Sequence, residues 1–336
     1  MPSRFPLTCT LALLLAFTAP HSAADGTDIG LVYDAGGRGD KSFNDSAYLG
    51  LTRACKDFGL TPKDIEPSPQ MSKEAALRRL AQKGTPLILG IGILFSAEIT
   101  KLAEEFPDVK FVCIDYNAPE EYASGAKPLP PNLLGVRFRE QEGAYLVGAI
   151  AALVGKSNTL GFVGGMEIPL IKRFEAGYRA GAQSVRSDVA ILVDYAGTDA
   201  TAWKNPAKGK EMALAQYQRG ADVVFHASGS TGLGVFAAAR ETGKLAIGVD
   251  ADQSAEAPDH IVTSQLKRVD EAVYRAIKDY KDGAFKGGVH ALGLAEGAIG
   301  YVKTEQNARW ITPEIAARVD ELARKIAAGE IVVPDK

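Results

Sequence analysis

A glycine-rich loop carrying polar and aromatic side chains is the segment of this chain best suited to ligand binding. It follows an apolar run at residues 29–33 and contains Asp34, Ser42, Phe43 and Asn44. In open α/β sheets, ligands bind where a strand ends and a helix begins, beside free backbone N–H groups. The spacing therefore predicts a small-molecule site rather than a purely structural turn.

The same loop does not match a phosphate-binding P-loop. That motif requires a Gly-Lys-Ser/Thr triplet, whereas Asp40 separates Gly39 from Lys41 here. A carboxylate inside a phosphate cradle would repel the phosphate. We therefore expect a polar, uncharged ligand with an aromatic face.

Five further residues of similar chemistry follow other predicted strands. They are Asp115, Trp203, Gly229, Asp250 and Lys267. Because the carboxyl ends of parallel strands meet at one edge of a sheet, we expect these side chains to line a common cleft.

Several of the candidate site residues also have a simpler interpretation. Asn44 is typical of a helix N-cap, Gly229 of a turn, and Lys267 of a solvated surface charge. Phe43 and Trp203 are compatible with core aromatics, although both lie in polar segments.

Taken together, the residues favour a nucleoside as the ligand. Phe43 and Trp203 can sandwich a flat heterocycle, because base–aromatic stacking contributes roughly 1–3 kcal/mol per base. Asp115 can accept hydrogen bonds from the edge of a base, while Asp250 and Lys267 suit ribose hydroxyls. The surplus of aspartates disfavours a nucleotide.

Short apolar runs alternate with amphipathic segments along the chain, a pattern typical of parallel sheets covered by helices. The predicted strands are residues 29–33, 87–91, 110–115, 133–138, 159–163, 190–195, 223–226, 245–249 and 261–265. The predicted helices are residues 42–58, 72–83, 96–106, 140–154, 169–185, 206–219, 232–242, 268–282 and 313–329.

Two sheets fit these elements better than a single sheet of nine strands. We therefore predict an α/β protein of two lobes joined by a multi-strand hinge and able to close round a ligand. The first lobe is expected to comprise residues 25–137 plus about 264–290, and the second residues 138–263 plus about 291–336. The segment at residues 287–300 is expected to be irregular.

The amino-terminal residues 1–24 resemble a cleavable secretory signal peptide. Arg4 is followed by an apolar run at residues 7–17 and a small-residue cleavage site. Cys9 lies ahead of most of that run, so we expect no lipid attachment there and a freely diffusing periplasmic protein. With 38 basic and 41 acidic residues, the chain lacks the basic excess of a nucleic-acid-binding protein.

Neither metal nor cofactor chemistry is indicated by the sequence. The 4 histidines and 3 cysteines show no metal-ligand spacing. Cys55 and Cys113 remain after removal of the signal, and they are interpreted either as two buried thiols or as a disulfide. His226 is interpreted as a buried strand-end residue or, less simply, as a catalytic group.

Several motifs resemble the basic membrane protein family of ABC-transporter substrate-binding proteins, which includes bacterial purine nucleoside receptors. The similarity lies in residues 31–46 (LVYDAGGRGDKSFNDS), 161–170 (GFVGGMEIPL), 174–177 (FEAG), 205–210 (NPAKGK), 229–232 (GSTG), 248–253 (GVDADQ) and 263–270 (TSQLKRVD). It spans nearly the whole mature chain.

This resemblance implies a type I periplasmic binding protein with two Rossmann-like lobes. It also implies ligand contacts at the residues that match the family motifs: Asp34, Phe43, Asn44, Asp115, Trp203, Gly229, Asp250 and Lys267. Two departures matter. Trp203 stands where the nucleoside receptors have phenylalanine, which alters pocket size, and the lipoprotein cysteine of many relatives is missing.

The leading hypothesis is a monomeric, non-enzymatic receptor that delivers nucleosides to an inner-membrane ABC permease and its ATPase. The first alternative is a nucleoside hydrolase in which the cleft aspartates act as paired carboxylates. The second is a ligand sensor for a membrane signalling protein. A sensor has the same sequence features as a transport receptor.

Overall fold

Two six-stranded sheets form the framework of the protein. The computed structural model describes residues 27–336, so the signal peptide predicted for residues 1–24 lies outside the described residues. The strands are β1 (Asp28–Val32), β2 (Thr61–Ile65), β3 (Leu87–Ile91), β4 (Lys110–Ile114), β5 (Leu133–Phe138), β6 (Thr159–Met166), β7 (Ala190–Gly197), β8 (Val223–Ala227), β9 (Leu245–Asp250), β10 (Ile261–Lys267), β11 (Gly288–Leu292) and β12 (Ile299–Tyr301).

Helices connect most consecutive strands and cover the faces of both sheets. They are α1 (Phe43–Phe58), α2 (Lys73–Gln82), α3 (Ser96–Glu105), α4 (Glu120–Ala123), α5 (Glu140–Val154), α6 (Pro169–Val185), α7 (Pro206–Gln218), α8 (Gly232–Thr242), α9 (Val269–Lys281) and α10 (Pro313–Ala327). Short 3-10 turns at Ile93–Phe95, Ala200–Trp203 and Gly229–Thr231 follow three of the strands.

The two sheets have matching topology. The first has the strand order β11-β5-β4-β3-β1-β2, and all of its neighbouring strands are parallel. The second has the order β12-β10-β9-β8-β6-β7, and only the β10–β12 pair is antiparallel. The prediction of two mainly parallel sheets in an α/β fold is therefore confirmed.

Burial on both faces explains why the central strands are apolar throughout. In β1, Leu31 packs into the core beneath α1 and α9, whereas Val32 packs into the core beneath α2 and α3. The second sheet is covered in the same way by α5, α6 and α10 on one face and by α7 and α8 on the other. Parallel sheets of this kind lack the apolar–polar alternation of half-exposed strands.

All nine predicted strands are present, but β2, β11 and β12 were missed. β2 pairs only with β1 at the sheet edge, and its first four residues are exposed. β11 is likewise an exposed edge strand, so the expectation of an irregular segment at residues 287–300 is wrong for residues 288–292 and for the start of β12, and holds for residues 293–298. These edge strands bury too little apolar surface to show the apolar run by which the other nine strands were predicted.

The chain passes between the two sheets after β5, after β10 and between β11 and β12. β10 stays paired with β9 as far as Leu266, so the boundary expected before residue 264 falls inside this strand. The division of the remaining residues between the lobes stays a prediction.

Helices α5 and α6 approach closely because glycines line their contact. A Cβ atom on Gly181 would lie 1.9 Å from the carbonyl oxygen of Tyr145, and one on Gly148 would lie 2.1 Å from that of Tyr178. Neither backbone can yield as a flexible side chain would, so the helix spacing requires glycine at both positions.

We expect Gly181→Ala to lower the free energy of unfolding by about 1–3 kcal/mol. Overlap with the Tyr145 carbonyl outweighs the gain of up to about 1 kcal/mol from the higher helix propensity of alanine. Urea unfolding measures the difference. Gly300→Ala is the control, because a Cβ there meets no atom within 4 Å; equal stability of the two variants would contradict the packing argument.

Candidate ligand-binding site

A cavity lies between the lobes at the carboxyl ends of strands from both sheets. It encloses about 590 Å³ not filled by protein, part of it open to solvent. Its walls include eight of the predicted site residues: Asp34, Phe43, Asn44, Asp115, Trp203, Gly229, Asp250 and Lys267. The predicted residues are thus brought together, with Ser42 just outside the cavity wall.

Asp40 organises the loop that enters α1. Its carboxylate accepts hydrogen bonds from the backbone N–H groups of Ser42, Asn44 and Asp45, at 2.9–3.1 Å. The capping group is therefore Asp40, and the N-cap interpretation of Asn44 is wrong. The Asn44 side chain instead donates to Asp40 and accepts from the backbone N–H of Asp34.

Asp34 lies two residues after the end of β1, on the cavity wall. Its Oδ1 accepts a 2.7 Å hydrogen bond from the Ala35 N–H. A Cβ on Gly92 would lie 2.4 Å from Asp34 Oδ2, so only glycine permits this close approach. Burial raises the pKa of Asp34 to about 6.

Asp115 and Asp250 occupy equivalent positions in the two sheets. Asp115 directly follows β4 and Asp250 ends β9, each the third strand of its sheet. Both have left-handed backbones, with φ of 61° and 65°, which is uncommon outside glycine. Strained backbones of this kind cluster at functional sites, so their recurrence at equivalent positions supports a binding role.

A buried chain of alternating charges extends from Asp115 into the second lobe. Lys267 is 2% exposed, and its Nζ lies 2.7 Å from Asp115 Oδ2 and 3.3 Å from Glu140 Oε1. Arg173 Nε donates to Glu140 Oε2 at 2.8 Å. Burial lowers the pKa of Lys267, but Asp115, Glu140 and Asp250 outweigh it and raise that pKa above its usual value. The interpretation of Lys267 as a solvated surface charge is wrong.

Ser42 joins the two lobes rather than lining the cavity. Its hydroxyl donates a short hydrogen bond to Asp250 Oδ2, so the start of α1 is connected to the end of β9. Burial raises the pKa of Asp250 to about 6. The hydroxyl thus fixes a carboxylate that lines the cavity.

The two predicted stacking aromatics come from different lobes. Phe43 is the first residue of α1, and its ring centroid lies 5.1 Å from Lys267 Nζ. Trp203 packs directly on the backbone of Gly165, where a Cβ would lie 2.2 Å from the indole. The Trp203 carbonyl accepts a hydrogen bond from Ser230 Oγ at 2.9 Å. Gly229, with φ of 58°, begins the adjacent turn.

Sequence reasoning missed four residues of this site: Asp40, Glu140, Phe174 and Arg173. Phe174 lines the cavity but lies on the amphipathic helix α6, where an aromatic is usually a core residue. Glu140 begins α5, with only Arg139 between it and the end of β5; a carboxylate at that strand–helix junction was the sequence signal that could have identified it. Only the fold reveals that Arg173 reaches it.

The remaining reactive side chains lie away from the cavity wall. His226 is buried and lies within hydrogen-bonding distance of Gln253 and Ser228, and burial lowers its pKa to about 4. Cys55 and Cys113 are free and buried, so the thiol interpretation replaces the disulfide.

Across residues 27–336, no group of three or more histidine, cysteine or acidic side chains is arranged for a metal ion. Over the same residues, no helix is both long and apolar enough to span a membrane.

The fold and the position of the cavity define a type I solute-binding protein, with two lobes around a ligand cleft. A solved ABC-transporter solute-binding protein from Aeropyrum pernix K1 has the same fold, with a TM-score of 0.81 and 33% identity. That comparison covers 92% of this chain and 94% of the other.

The chain belongs to the Bmp family, described as ABC transporter substrate-binding protein PnrA-like, whose model matches residues 28–336. Basic membrane protein A1 of Borrelia garinii subsp. bavariensis is 36% identical, covering 88% of this chain and 85% of the relative. An uncharacterized lipoprotein of Pyrococcus abyssi is 34% identical, covering 94% and 86%. The predicted family is therefore confirmed.

We expect the partly buried carboxyl of Asp34 to make stability depend on pH. Because its pKa is raised from 3.8 to about 6, the folded state binds a proton more tightly than the unfolded state. The stability it contributes is present below about pH 4 and is lost as pH rises through about 6, by about 1–3 kcal/mol. Asp34→Asn should flatten this decline and stabilise the protein at pH 7.

Urea unfolding at pH 4.5 and pH 7 tests this expectation. Asp279→Asn on the exposed face of α9 is the control and should leave the pH dependence unchanged. An unaltered decline in Asp34→Asn would show that Asp34 does not titrate in this range.

Proposed function

We propose that this protein binds nucleosides, most readily purine nucleosides, in the cavity between its lobes and delivers them to an ABC permease. The observation that carries the proposal is the composition of the cavity wall. It joins Phe43 and Trp203, one aromatic from each lobe, with the carboxylate of Asp115, whose Oδ1 has no hydrogen-bond partner among the described residues. A flat ring with N–H donors on its edge suits all three.

The charges of the cavity wall favour a nucleoside over a nucleotide. Among residues 27–336, the cavity is lined by four carboxyl groups, those of Asp34, Asp40, Asp115 and Asp250, and by one amino group, that of Lys267. A phosphate dianion would meet more negative than positive charge in a site of low dielectric constant. Ribose hydroxyls can instead donate hydrogen bonds to such carboxylates, and we assign this contact to Asp250.

The transport role requires the receptor to act outside the cytoplasmic membrane. We propose a periplasmic monomer that presents its closed, ligand-bound lobes to the permease and its ATPase, with no chemical change to the ligand. A ligand shifts the equilibrium from the open toward the closed conformation by the difference between its binding free energies for the two conformations. Several relatives are named lipoproteins, so membrane extraction of the expressed protein also tests the freely diffusing state.

Isothermal titration of the unfolded, ligand-stripped and refolded protein tests the proposed ligand directly. Adenosine, guanosine, inosine, uridine and cytidine form the panel. We expect saturable binding of the purine nucleosides with one site per chain. Binding of pyrimidine nucleosides alone would overturn the purine assignment, and no binding within the panel would overturn the nucleoside proposal.

The hydrolase hypothesis makes a different prediction for the same incubation. Glycosidic hydrolysis uses two carboxyl groups, one as an acid and one as a base or nucleophile, but Asp115 is ion-paired with Lys267 and Asp250 accepts from Ser42. We therefore propose that the nucleoside is released unchanged. Chromatography after a long incubation would reveal free base if the protein were a hydrolase.

We expect Trp203→Ala to weaken purine nucleoside binding by about 1–3 kcal/mol, or about 5- to 150-fold, through loss of stacking. Trp310→Phe is the matched control, because Trp310 lies outside the cavity wall. It also leaves Trp203 as the sole tryptophan of the chain, so a fluorescence change on titration would report on the site itself. Unchanged affinity in Trp203→Ala would contradict the sandwich.

We expect Asp250→Ala to weaken adenosine binding by about 1.5–3 kcal/mol, the contribution of a hydrogen bond to a charged group. Adenine has no ribose, so its binding should change little. Titration of both ligands into the variant separates the two effects. Asp252→Ala, at an exposed neighbouring carboxylate, should affect neither; equal weakening of adenosine and adenine by Asp250→Ala would contradict the ribose assignment.

A further inference from the structure

A second chamber adjoins the proposed ligand cavity. The two share three wall residues, Ile93, Asp115 and Leu170. The second chamber, here called the side chamber, encloses about 370 Å³ not filled by protein, part of it open to solvent. Because Asp115 belongs to both walls, a ligand edge that contacts Asp115 also borders the side chamber.

Two carboxylate oxygens on the wall of the side chamber lack hydrogen-bond partners. They are Asp115 Oδ1 and Glu140 Oε1, and both side chains are buried, at 7% and 0% exposure. Glu140 Oε1 lies 3.3 Å from Lys267 Nζ but does not accept a hydrogen bond from it. Buried acceptors in native proteins are nearly always paired. An occupant of the side chamber that brings N–H or O–H donors would supply the hydrogen bonds that these two oxygens lack among the described residues.

The other wall of the side chamber reaches the protein surface. Asn117 and Arg137 both line it, and both are exposed. Arg173, on the same wall, donates only its Nε to Glu140 within the described residues. The side chamber thus runs from buried acceptors to an exposed, positively charged end. A group that entered from the ligand cavity would have space to extend toward solvent.

We propose that the ligand site continues into the side chamber, which receives an N-linked substituent on the base of a modified nucleoside. The substituent keeps an N–H for the unpaired oxygens of Asp115 and Glu140 and extends between Leu170 and the exposed end. This inference rests on the proposed nucleoside function. It adds a substrate class, base-modified nucleosides, and a specificity-determining residue, Glu140.

Titration with paired ligands tests the extension separately from the nucleoside function. The probes are adenosine and N6-benzyladenosine, and guanosine and N2-benzylguanosine, because each benzyl derivative retains one N–H on its substituted nitrogen. We expect at least one derivative to bind within about tenfold of its parent nucleoside. If the parents bind and both derivatives lose more than tenfold, the extension is overturned while the nucleoside function stands. If none of the four binds, both are overturned.

A variant that fills the exposed end of the side chamber identifies where the substituent lies. In Asn117→Trp, the backbone N–H that donates to Ser96 Oγ is kept, and the new indole occupies the side chamber. We expect this variant to weaken the better-bound derivative at least tenfold and its parent less than threefold. Glu121→Trp, on the exposed helix α4 outside the side chamber, should change neither affinity. An unaffected derivative, or equal weakening of derivative and parent by Asn117→Trp, would overturn the extension.

Discussion

The buried amino group of Lys267 is the interaction on which the arrangement of this protein most depends. It lies at the end of β10 in the second sheet, yet its 2.7 Å partner is Asp115 at the end of β4 in the first. An unpaired charge in such a position is destabilising by about 3–5 kcal/mol. Glu140 and Arg173 extend the pairing, so each buried charge has an opposite neighbour. Opening of the lobes would separate Lys267 from Asp115 and return both to water.

The matching topology of the two sheets explains why the remaining groups converge. Because both sheets place the carboxyl ends of their strands toward the cleft, equivalent loops of the two lobes face each other. Asp115 and Asp250 illustrate this, each with a left-handed backbone at the end of the third strand of its sheet. Two hydrogen bonds therefore cross the cleft. In one, Ser42 of the first lobe donates to Asp250 of the second; in the other, Lys267 of the second lobe donates to Asp115 of the first. Together they hold the lobes closed at two separate points.

Much of this arrangement was predictable because its causes are local or periodic. Apolar runs such as that of β1 are buried on both faces, and the polar residues that follow them are placed at the cleft by topology alone. Other features depend on contacts that no sequence period encodes. β2 contains exposed lysine and aspartate and a proline, so it is recognisable only through its pairing with β1. Arg173 lies on a helix surface and becomes a site residue only because α6 packs beside the start of α5.

In the receptor proposed here, ligand recognition and lobe closure are coupled through Asp115 Oδ1, the acceptor that the protein leaves without a hydrogen bond. Lys267 holds one oxygen of Asp115, while the other, Oδ1, has no donor within residues 27–336. A buried acceptor without a partner is destabilising by about 1–3 kcal/mol, and this loss arises only when closure removes water from the carboxylate. A ligand that donates to Oδ1 removes the loss in the closed conformation and not in the open one. Under the proposed function, the ligand therefore favours closure through the same contact that recognises its ring edge, and a ring without donors would leave the lobes less firmly closed.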